Sequence, residues 1–195
     1  FSRRQRQMCI RDRVQPYATG MYFSDLKNPS KNYQKEAEKY INMGFKAIKM
    51  KVGLGVKQDF QNVKLMREII GDHIMLMIDS NHAYSYNEAL SLAKKIEQFD
   101  ISWFEEPLSP EYYEQYAELR KNTIIPIAGG ECEYLRFGFL QLLKNKSLDI
   151  LQPDICSCGG ITEAKRIAAL ASSYGVPIVP HTCLLYTSPS PRDRV

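Results

Sequence analysis

The chain has 195 residues, of which 44% are hydrophobic and 25% are charged, and its formal net charge is +4. This composition is typical of a globular protein and excludes a disordered or collagen-like chain. No apolar run approaches the roughly 20 residues needed to cross a bilayer. The Arg-rich start is not followed by the apolar segment of a secretory signal. We therefore expect neither a membrane protein nor a secreted one.

The positive charge comes from the two ends of the chain. Residues 3–13 read RRQRQMCIRDR and residues 183–193 read CLLYTSPSPRD. The peptides MCIRD and CLLYT can be back-translated into ATGTGTATAAGAGACA and TGTCTCTTATACACAT, which are reverse complements. Both stretches also resemble translated adapter sequence from a transposon-based DNA sequencing library. We predict that residues 1–13 and 183–195 are foreign tails; two disordered basic tails are the alternative.

Without these segments the case for a nucleic-acid partner disappears. They contain seven arginines and two aspartates, so the remaining chain has almost no net charge. Three cysteines remain, Cys132, Cys156 and Cys158, and so small and odd a number indicates a reducing compartment, which we take to be the cytoplasm. Cys156 and Cys158 could form half of a metal site. No second Cys/His pair has suitable spacing, so buried or loop thiols are favoured.

Between residues 14 and 182, short apolar runs alternate with amphipathic stretches. In chain order the runs are VQPYATGMYF (14–23), AIKMKV (47–52), IMLMID (74–79), ISWFEE (101–106), IIPIAGGE (124–131), DILQPD (149–154) and PIVPHT (177–182). The stretches between them repeat apolar residues at helical spacing, as at Met66 and Ile70, which predicts helices with one buried face. Gly71 is suited to end the second helix, and Ser85 or Asn87 to cap the third.

Alternation of strands and helices predicts a parallel sheet covered by helices. Such a sheet is either doubly wound and open or closed into a (β/α)₈ barrel. No G-x-G-x-x-G motif follows the first strand and no P-loop is present. The pitch of about 25–30 residues per unit matches a barrel of about 250 residues divided by eight. We therefore predict an α/β fold, an incomplete (β/α)₈ TIM-type barrel over residues 14–182, with about seven parallel strands and no eighth.

Three carboxylates follow successive strands. Asp79, Glu105 and Glu131 are spaced one strand–helix unit apart, so all three should lie at the same rim of the barrel, where barrel enzymes place their active sites. Converging carboxylates repel one another unless a cation lies between them, and oxygen ligands of this kind suit Mg²⁺. Solvated charges at strand ends are the alternative interpretation.

Two lysines precede these carboxylates on the second predicted strand. Lys49 and Lys51 alternate with apolar residues, so both should point to the inner side of the barrel. Lysines close to each other and to a metal should have a lowered pKa, as a catalytic base requires near neutral pH.

Histidines supply two further candidates. Asp154 and His181 are one strand–helix unit apart, and an aspartate beside a histidine fixes its tautomer and raises its basicity. A purely structural histidine that bonds to the backbone is the alternative. His82 follows Asn81 at a strand end and is expected to line the pocket.

The ordered set of motifs resembles the enolase superfamily, specifically its mandelate racemase/muconate lactonizing enzyme type. The motifs are K-x-K at 49–51, D-x-N at 79–81, W-F-E-E-P at 103–107, G-G-E at 129–131, Q-P-D at 152–154 and P-H at 180–181. The match covers nearly all of residues 14–182. By this resemblance, we expect the superfamily's N-terminal capping domain, which closes over the substrate, to be missing from these 195 residues.

The resemblance implies a role for each matching residue. Asp79, Glu105 and Glu131 would be the Mg²⁺ ligands. Lys51 would be one acid/base, with Lys49 lowering its pKa and helping to bind the substrate carboxylate. The superfamily's reactions begin with removal of the proton α to a carboxylate, and the metal stabilises the resulting enediolate.

Four further positions complete the implied site. His181, paired with Asp154, would be the other acid/base, on the opposite face of the substrate. Glu106 would support the metal ligands, and Asn81 would contact the substrate.

Within this type, D-S-N-H-A-Y and A-G-G-E-C-E-Y look most like acid-sugar dehydratases and related sugar-acid or lactone enzymes. The resemblance implies a sugar-acid dehydratase whose natural form is a homo-oligomer, with this chain an inactive fragment of it. A racemase or epimerase and a lactone cycloisomerase are alternatives of the same superfamily. A non-catalytic binding protein built on the barrel is an alternative of another class.

Overall fold

The computed structural model describes residues 16–22 and 29–182, so the predicted foreign tails lie outside the described residues. Strands and helices alternate along the described chain. The strands are β1 (Ala18–Gly20), β2 (Ala47–Lys51), β3 (Met75–Asp79), β4 (Ile101–Glu105), β5 (Ile127–Gly129) and β6 (Ile150–Leu151). The helices are α1 (Pro29–Asn42), α2 (Val56–Ile70), α3 (Tyr86–Ile96), α4 (Tyr113–Asn122), α5 (Leu135–Asn145) and α6 (Gly160–Ser173), with a short 3₁₀ helix at Glu97–Phe99.

The order of the strands identifies the winding. The six strands form one sheet in the order β1 to β6, and every neighbouring pair is parallel. In a doubly wound sheet the strand order reverses at a switch point. Because the order here follows the sequence without reversal, the predicted barrel-type arrangement is confirmed.

The seventh apolar run is joined to the sheet more weakly than predicted. Ile178 pairs with Leu151 and His181 pairs with Asp154, each as an isolated bridge. Leu151 N donates to Pro177 O at 3.0 Å, and Val179 N donates to Leu151 O at 2.9 Å. Pro153, the next residue after β6 to face this segment, has no amide proton to continue the ladder. The described part of the barrel therefore consists of six strands and a seventh bridged segment.

Alternation along the strands separates two apolar layers. The larger layer fills the space between sheet and helices and includes Ile48 and Phe104. The smaller layer, inside the curve of the sheet, is built on Met77, Trp103 and Ala128. Residues two apart share a face, so Lys49 and Lys51 lie with the inner layer, as their alternation predicts.

The helix ends follow the predicted local signals. Gly71 has a φ of 65° just after α2, a left-handed conformation that glycine adopts without strain. Ser85 precedes α3, and its backbone N–H donates to Glu88 Oε2 at 2.9 Å, as in a capping box. Within the described residues, no helix combines the length and the apolar character needed to cross a membrane.

A buried carboxylate joins α5 to α6. Glu163 Oε1 accepts hydrogen bonds from Arg136 N at 3.0 Å and Arg136 Nη1 at 2.7 Å, and Oε2 accepts from Arg166 Nη1 at 2.9 Å. The Arg136 amide and the two guanidinium groups lower the pKa of Glu163 to about 2, against the opposing effect of burial. The ionised carboxylate therefore holds the starts of two consecutive helices together.

We expect Glu163→Gln to destabilise the chain at pH 7. Because the folded pKa lies below the unfolded value, the stabilisation is present above the unfolded pKa of about 4.3 and is lost as the pH falls towards about 2. The difference in unfolding temperature between variant and parent should therefore narrow in acid. Thermal unfolding followed by circular dichroism at several pH values measures it, with exposed Glu68→Gln as the control. A difference in unfolding temperature that stays the same at every pH would contradict an ionic role for Glu163.

Candidate active site at the carboxyl ends of the strands

Strand register places the predicted residues beside one another. Lys51 at the end of β2 is paired with Asp79 at the end of β3, and Asp79 is paired with Glu105 at the end of β4. The three side chains therefore occupy adjacent positions at one rim of the sheet. This is the rim at which a parallel barrel presents its loops for catalysis.

Glu105 is fully buried and has hydrogen-bond donors on both carboxylate oxygens. Lys49 Nζ donates to Oε1, and Nζ also lies 3.3 Å from Asp79 Oδ2. Trp103 Nε1 donates to Oε2 at 2.9 Å and Gln152 Nε2 donates to the same atom at 2.7 Å. Buried charges persist only when they are paired and hydrogen-bonded in this way.

The expected lowering of the lysine pKa is wrong for Lys49. Burial disfavours its charged form, but Glu105 and Asp79 outweigh burial and raise the pKa. The sequence places both carboxylates at the rim, but it does not show that Lys49 Nζ sits between them. The structure therefore makes Lys49 a stably charged partner of these carboxylates.

Lys51 extends into the open part of the site. Its Nζ lies 2.5 Å from Asp79 Oδ2 and 2.6 Å from Asn81 Oδ1, so a carboxylate and an amide oxygen fix its position. Burial alone would raise the pKa of Asp79, but Lys49 and Lys51 reverse this and lower it. Asp79 is therefore ionised and shared between two ammonium groups.

His181 approaches from the other side of the site and lies between two carboxylates. Its Nδ1 is 2.7 Å from Asp154 Oδ2, and its Nε2 is 3.2 Å from Glu131 Oε2. Asp154 Oδ1 accepts from the Cys156 amide at 2.7 Å. His181 and the loop amides lower the pKa of Asp154 against the opposing effect of burial. Asp154 is therefore an ionised, fixed partner for the imidazole.

Glu131 is the least compensated carboxylate of the site. Burial and the nearby negative charges of Glu106, Asp79 and Glu105 raise its pKa to about 7, although His181 acts in the opposite direction. The preceding Gly130 has a φ of 109°, and a Cβ there would lie 3.1 Å from Phe139 Cε1. Glycine is thus needed where the chain turns to present Glu131.

One open pocket of about 410 Å³ contains both proposed acid/base groups. It is lined by Lys49, Lys51, Asp79 and His181, and by apolar or neutral residues at either side, among them Tyr17, Tyr22 and Val179. The pocket lies between β1 and the bridged segment at 177–182. Its volume suits a small organic ligand.

The donor chemistry fits Mg²⁺, which prefers carboxylate oxygens and keeps several waters. Asp79, Glu105 and Glu131 come from consecutive strands, and the raised pKa of Glu131 marks an excess of negative charge that a cation would relieve. Their oxygens do not all lie within 4.8 Å of one another. Binding of one ion by all three therefore requires side-chain rotation that brings Glu131 towards the other two.

The remaining predicted residues divide between two places. Asn81 bonds to Lys51 at the edge of the pocket. Glu106 and His82 lie together, with Glu106 Oε2 2.6 Å from His82 Nε2, and neither is among the residues that line the pocket. Asn81, His82 and Glu106 all have positive φ, of 44°, 66° and 43°. Such conformations are uncommon outside glycine and are concentrated at functional sites.

Sequence reasoning missed the groups that hold Glu105 and Lys49. Trp103 and Gln152 lie within the quoted W-F-E-E-P and Q-P-D motifs, yet no role was predicted for them. Alternation along β4 does indicate that Trp103 shares a face with Glu105. The ring of Tyr17 lies 5.5 Å from Lys49 Nζ and packs edge-on against Trp103. No signal in the sequence connects Tyr17 with these two residues.

Asp59 is a further buried carboxylate, and it joins the loops around Lys51 and Asp79. Asp59 Oδ2 accepts from Tyr84 Oη at 2.5 Å and from the amides of Leu54 and Gly53 at 2.8 and 3.2 Å. Tyr84 in turn packs edge-on against Phe104 of β4. The loop after β2 is thereby tied to the loop after β3.

We expect Tyr84→Phe to destabilise the chain by about 1–3 kcal/mol, because a buried carboxylate loses a hydrogen-bond donor. Urea unfolding measures the change. Tyr112→Phe is the matched control, since Tyr112 is 52% exposed. A Tyr84→Phe variant as stable as the control would show that the phenol contributes nothing to this network.

We expect Glu131→Gln to raise the unfolding temperature of the metal-free chain at pH 8 by a few degrees. A carboxylate with a raised folded pKa costs stability as the pH rises through that pKa, here about 7, and a neutral amide avoids this cost. The gain should shrink towards pH 5. Added Mg²⁺ should stabilise the variant less than the parent. Thermal unfolding in EDTA and in Mg²⁺ measures both effects, with exposed Glu114→Gln as the control.

Comparisons of the sequence with family models and with known proteins agree on one family. Residues 32–190 match the family model described as enolase C-terminal domain-like. The match runs past residue 182 into the segment predicted to be foreign, so the boundary of that segment stays a prediction. The D-galactarolactone cycloisomerase of Agrobacterium fabrum is 45% identical over 172 residues, covering 88% of this chain and 45% of that protein. The arabinonate dehydratase of Saccharolobus solfataricus is 36% identical over 170 residues, which cover 87% of this chain and 45% of that protein.

Solved structures agree with this relationship. The 3,6-anhydro-D-galactonate cycloisomerase of Zobellia galactanivorans is 55% identical, with a TM-score of 0.82 over 87% of this chain and 47% of that one. A racemase from Streptomyces coelicolor with bound magnesium is 33% identical, with a TM-score of 0.81 over 87% of this chain and 50% of that one. The chain spans about half the length of the curated relatives it matches. By sequence and by fold, the chain belongs to the enolase superfamily, in its mandelate racemase/muconate lactonizing enzyme type.

Proposed function

We propose that this chain carries the catalytic residues of a Mg²⁺-dependent enzyme that removes the proton α to the carboxylate of a sugar acid and expels an oxygen from the β-carbon. The observation that carries the proposal is the shared pocket, in which Lys51 and His181 come from different strands beside the carboxylate Asp79. The named relatives are two cycloisomerases, a dehydratase and a racemase. Two proton-transfer groups in one pocket favour an enzyme over a non-catalytic binding protein.

Asp79, Glu105 and Glu131 are the proposed ligands of Mg²⁺. The ion, when bound, supplies positive charge that offsets the negative charge developing on the substrate carboxylate. The donors on Glu105 keep its carboxylate oriented, since Trp103 and Gln152 both bond to Oε2. Such outer partners orient metal ligands and contribute strongly to affinity.

Lys51 is the proposed acid/base on one side of the substrate. Its Nζ is oriented by Asp79 and Asn81 and reaches the pocket, where it can accept or return a proton. Lys49 remains charged between Asp79 and Glu105, which suits it to hold the substrate carboxylate and not to take the proton.

His181 is the proposed acid/base on the other side. Asp154 accepts from Nδ1, so Nε2, which faces Glu131 at 3.2 Å in this structure, is the atom that would exchange a proton with substrate once Glu131 turns towards the metal. A base on one side and an acid on the other permit removal of the α-proton and protonation of either the leaving oxygen or the α-carbon.

The leaving oxygen decides the overall reaction. Loss of a free hydroxyl gives dehydration, whereas loss of a ring oxygen opens the ring and gives an isomer of the substrate. Return of the proton to the opposite face gives racemisation. Identity is higher to the cycloisomerases, at 45% and 55%, than to the dehydratase at 36%. These identities favour a cyclic sugar acid or lactone as a further candidate substrate, in addition to the open-chain acid that the motifs predict.

The activity is proposed for the whole protein. The 195-residue chain covers 45% of its curated relatives, and its pocket is open along the side between β1 and the bridged segment. Water entering an open site weakens the electrostatic effects on which proton abstraction depends. We therefore expect the chain alone to be inactive. Its described cysteines are free, which is consistent with the proposed cytoplasmic location.

A chimera tests the proposal. Residues 16–182 replace the matching segment of the Zobellia galactanivorans cycloisomerase, which supplies the remainder of the fold. In D₂O with Mg²⁺ and a panel of sugar acids and lactones, we expect deuterium at the β-carbon of an elimination product, whose α-carbon becomes a keto group, and at the α-carbon where the proton is returned to the substrate. Mass spectrometry separates the outcomes: loss of water indicates dehydration, a new compound of equal mass indicates ring opening, and labelled substrate alone indicates racemisation.

Substitutions in the chimera assign the roles. We expect Lys51→Ala and His181→Asn each to lower product formation by about 100- to 10,000-fold, because each removes a proton-transfer group. Lys165→Ala is the matched control, since this exposed lysine lies on α6. Product formation that survives both substitutions would contradict the proposed roles.

A further inference from the structure

A second set of metal-ligating side chains lies beside the pocket residues. His82, Glu106 and Cys132 each offer a ligand atom, and these atoms all lie within 4.8 Å of one another. Within residues 16–22 and 29–182, no other group of three or more His, Cys, Asp or Glu side chains meets that distance. The three residues follow β3, β4 and β5, so the same strand ends that present the carboxylates Asp79, Glu105 and Glu131 also bring this set together.

Alternation along the chain sends the two sets to different sides of the sheet. Glu105 points to the inner layer, and the next residue, Glu106, faces the helices. Glu106 and Cys132 line a small cavity of about 20 Å³ together with Tyr116 of α4 and Leu142 of α5. None of the three ligand residues lines the 410 Å³ pocket. The cluster therefore lies outside the 410 Å³ pocket, although Glu106 is close enough to act on Glu131 of the proposed catalytic site.

Two atoms of the cluster have unmet bonding capacity. Glu106 is 1% exposed, and its Oε2 has no hydrogen-bond partner among the described residues; the same holds for His82 Nε2. The two atoms are 2.6 Å apart, close enough for an ion pair, although their geometry falls short of an aligned hydrogen bond. A buried carboxylate oxygen that faces only one imidazole is weakly compensated, and a cation that both atoms approach would add to this compensation.

We propose that His82, Glu106 and Cys132 form a binding site for a borderline-soft divalent cation of the Zn²⁺ class. Imidazole nitrogen, thiolate sulfur and carboxylate oxygen are the ligands of Zn²⁺, whereas Mg²⁺ takes oxygen ligands. Ligand atoms around one tetrahedral Zn²⁺ are about 3.3–3.6 Å apart, given bond lengths of about 2.0–2.3 Å. The ligand atoms all lie within 4.8 Å of one another, so modest rotation of the exposed Cys132 and the half-exposed His82 can reach this range.

The surroundings favour a cation at this position. The carboxylates of Glu106, Glu131, Glu111 and Glu133 all act on Cys132, so negative charge surrounds this position. Such negative charge attracts a divalent ion, and binding of the ion releases the thiol proton. Three protein ligands leave a fourth position for water.

Cobalt provides a spectroscopic probe for this site. Co²⁺ is titrated into the full chain under reducing conditions with excess Mg²⁺, which occupies the carboxylate site. We expect a thiolate-to-cobalt charge-transfer band that Zn²⁺ removes by competition. X-ray absorption of the unaltered chain loaded with Zn²⁺ should show one sulfur ligand together with nitrogen and oxygen ligands. This measurement requires no variant. A shell of oxygen ligands only would overturn the proposal.

Variants assign the ligands. We expect Cys132→Ser to abolish the band and His82→Gln to weaken Co²⁺ binding more than about tenfold. Cys156→Ser is the matched control, since Cys156 is also an exposed, free cysteine, and it should keep the band. The control matters because the full chain has five cysteines. A band that survives Cys132→Ser, or is lost in Cys156→Ser, would overturn the assignment.

Glu131→Gln separates this proposal from the proposed function. The substitution removes a proposed Mg²⁺ ligand, so Mg²⁺ stabilisation should fall while the cobalt band remains. Loss of the cobalt band in Glu131→Gln would place the ion among the catalytic carboxylates and overturn the second site. Loss of Mg²⁺ stabilisation with an intact band supports both sites independently.

Discussion

The concentration of buried negative charge at one rim of the barrel is the constraint on which the site depends. Asp79 and Glu105 end neighbouring strands in register and are almost fully removed from water. Two ionised carboxylates so placed repel each other strongly in a low-dielectric interior. Lys49 lies between them, and Lys51 bonds to the outer side of Asp79. The lysines proposed for proton transfer and substrate binding therefore also allow the carboxylates to fold together.

The general arrangement could be predicted from the sequence because it follows from periodicity. Strand–helix units of nearly constant length bring Asp79, Glu105 and Glu131 to the same rim, whatever the details of packing. Period-two alternation similarly predicts that Lys49 and Lys51 share the inner face. The sequential order of the six strands confirms the barrel-type winding. These inferences need only chain geometry, which the sequence expresses directly.

Interactions between side chains from distant strands could not be predicted in the same way. The pKa of Lys49 depends on where its ammonium group sits relative to Glu105, which is 56 residues away along the chain. The seventh segment pairs only through isolated bridges, since Pro153 on the facing chain has no amide proton to donate, although its apolar residues predict a strand. The cluster of His82, Glu106 and Cys132 has no local spacing that a sequence motif could capture. Each member follows a different strand.

Adjacent residues of β4 and the loop that follows show how one rim can carry two kinds of site. Glu105 and Glu106 are neighbours in sequence, yet alternation sends one to the inner layer and the other towards the helices. Glu105 has three donors, whereas Glu106 Oε2 faces only the imidazole of His82. A buried carboxylate oxygen with so few partners is suited to a cation. The cysteine and histidine beside it provide the sulfur and nitrogen ligands that a cation of the Zn²⁺ class prefers.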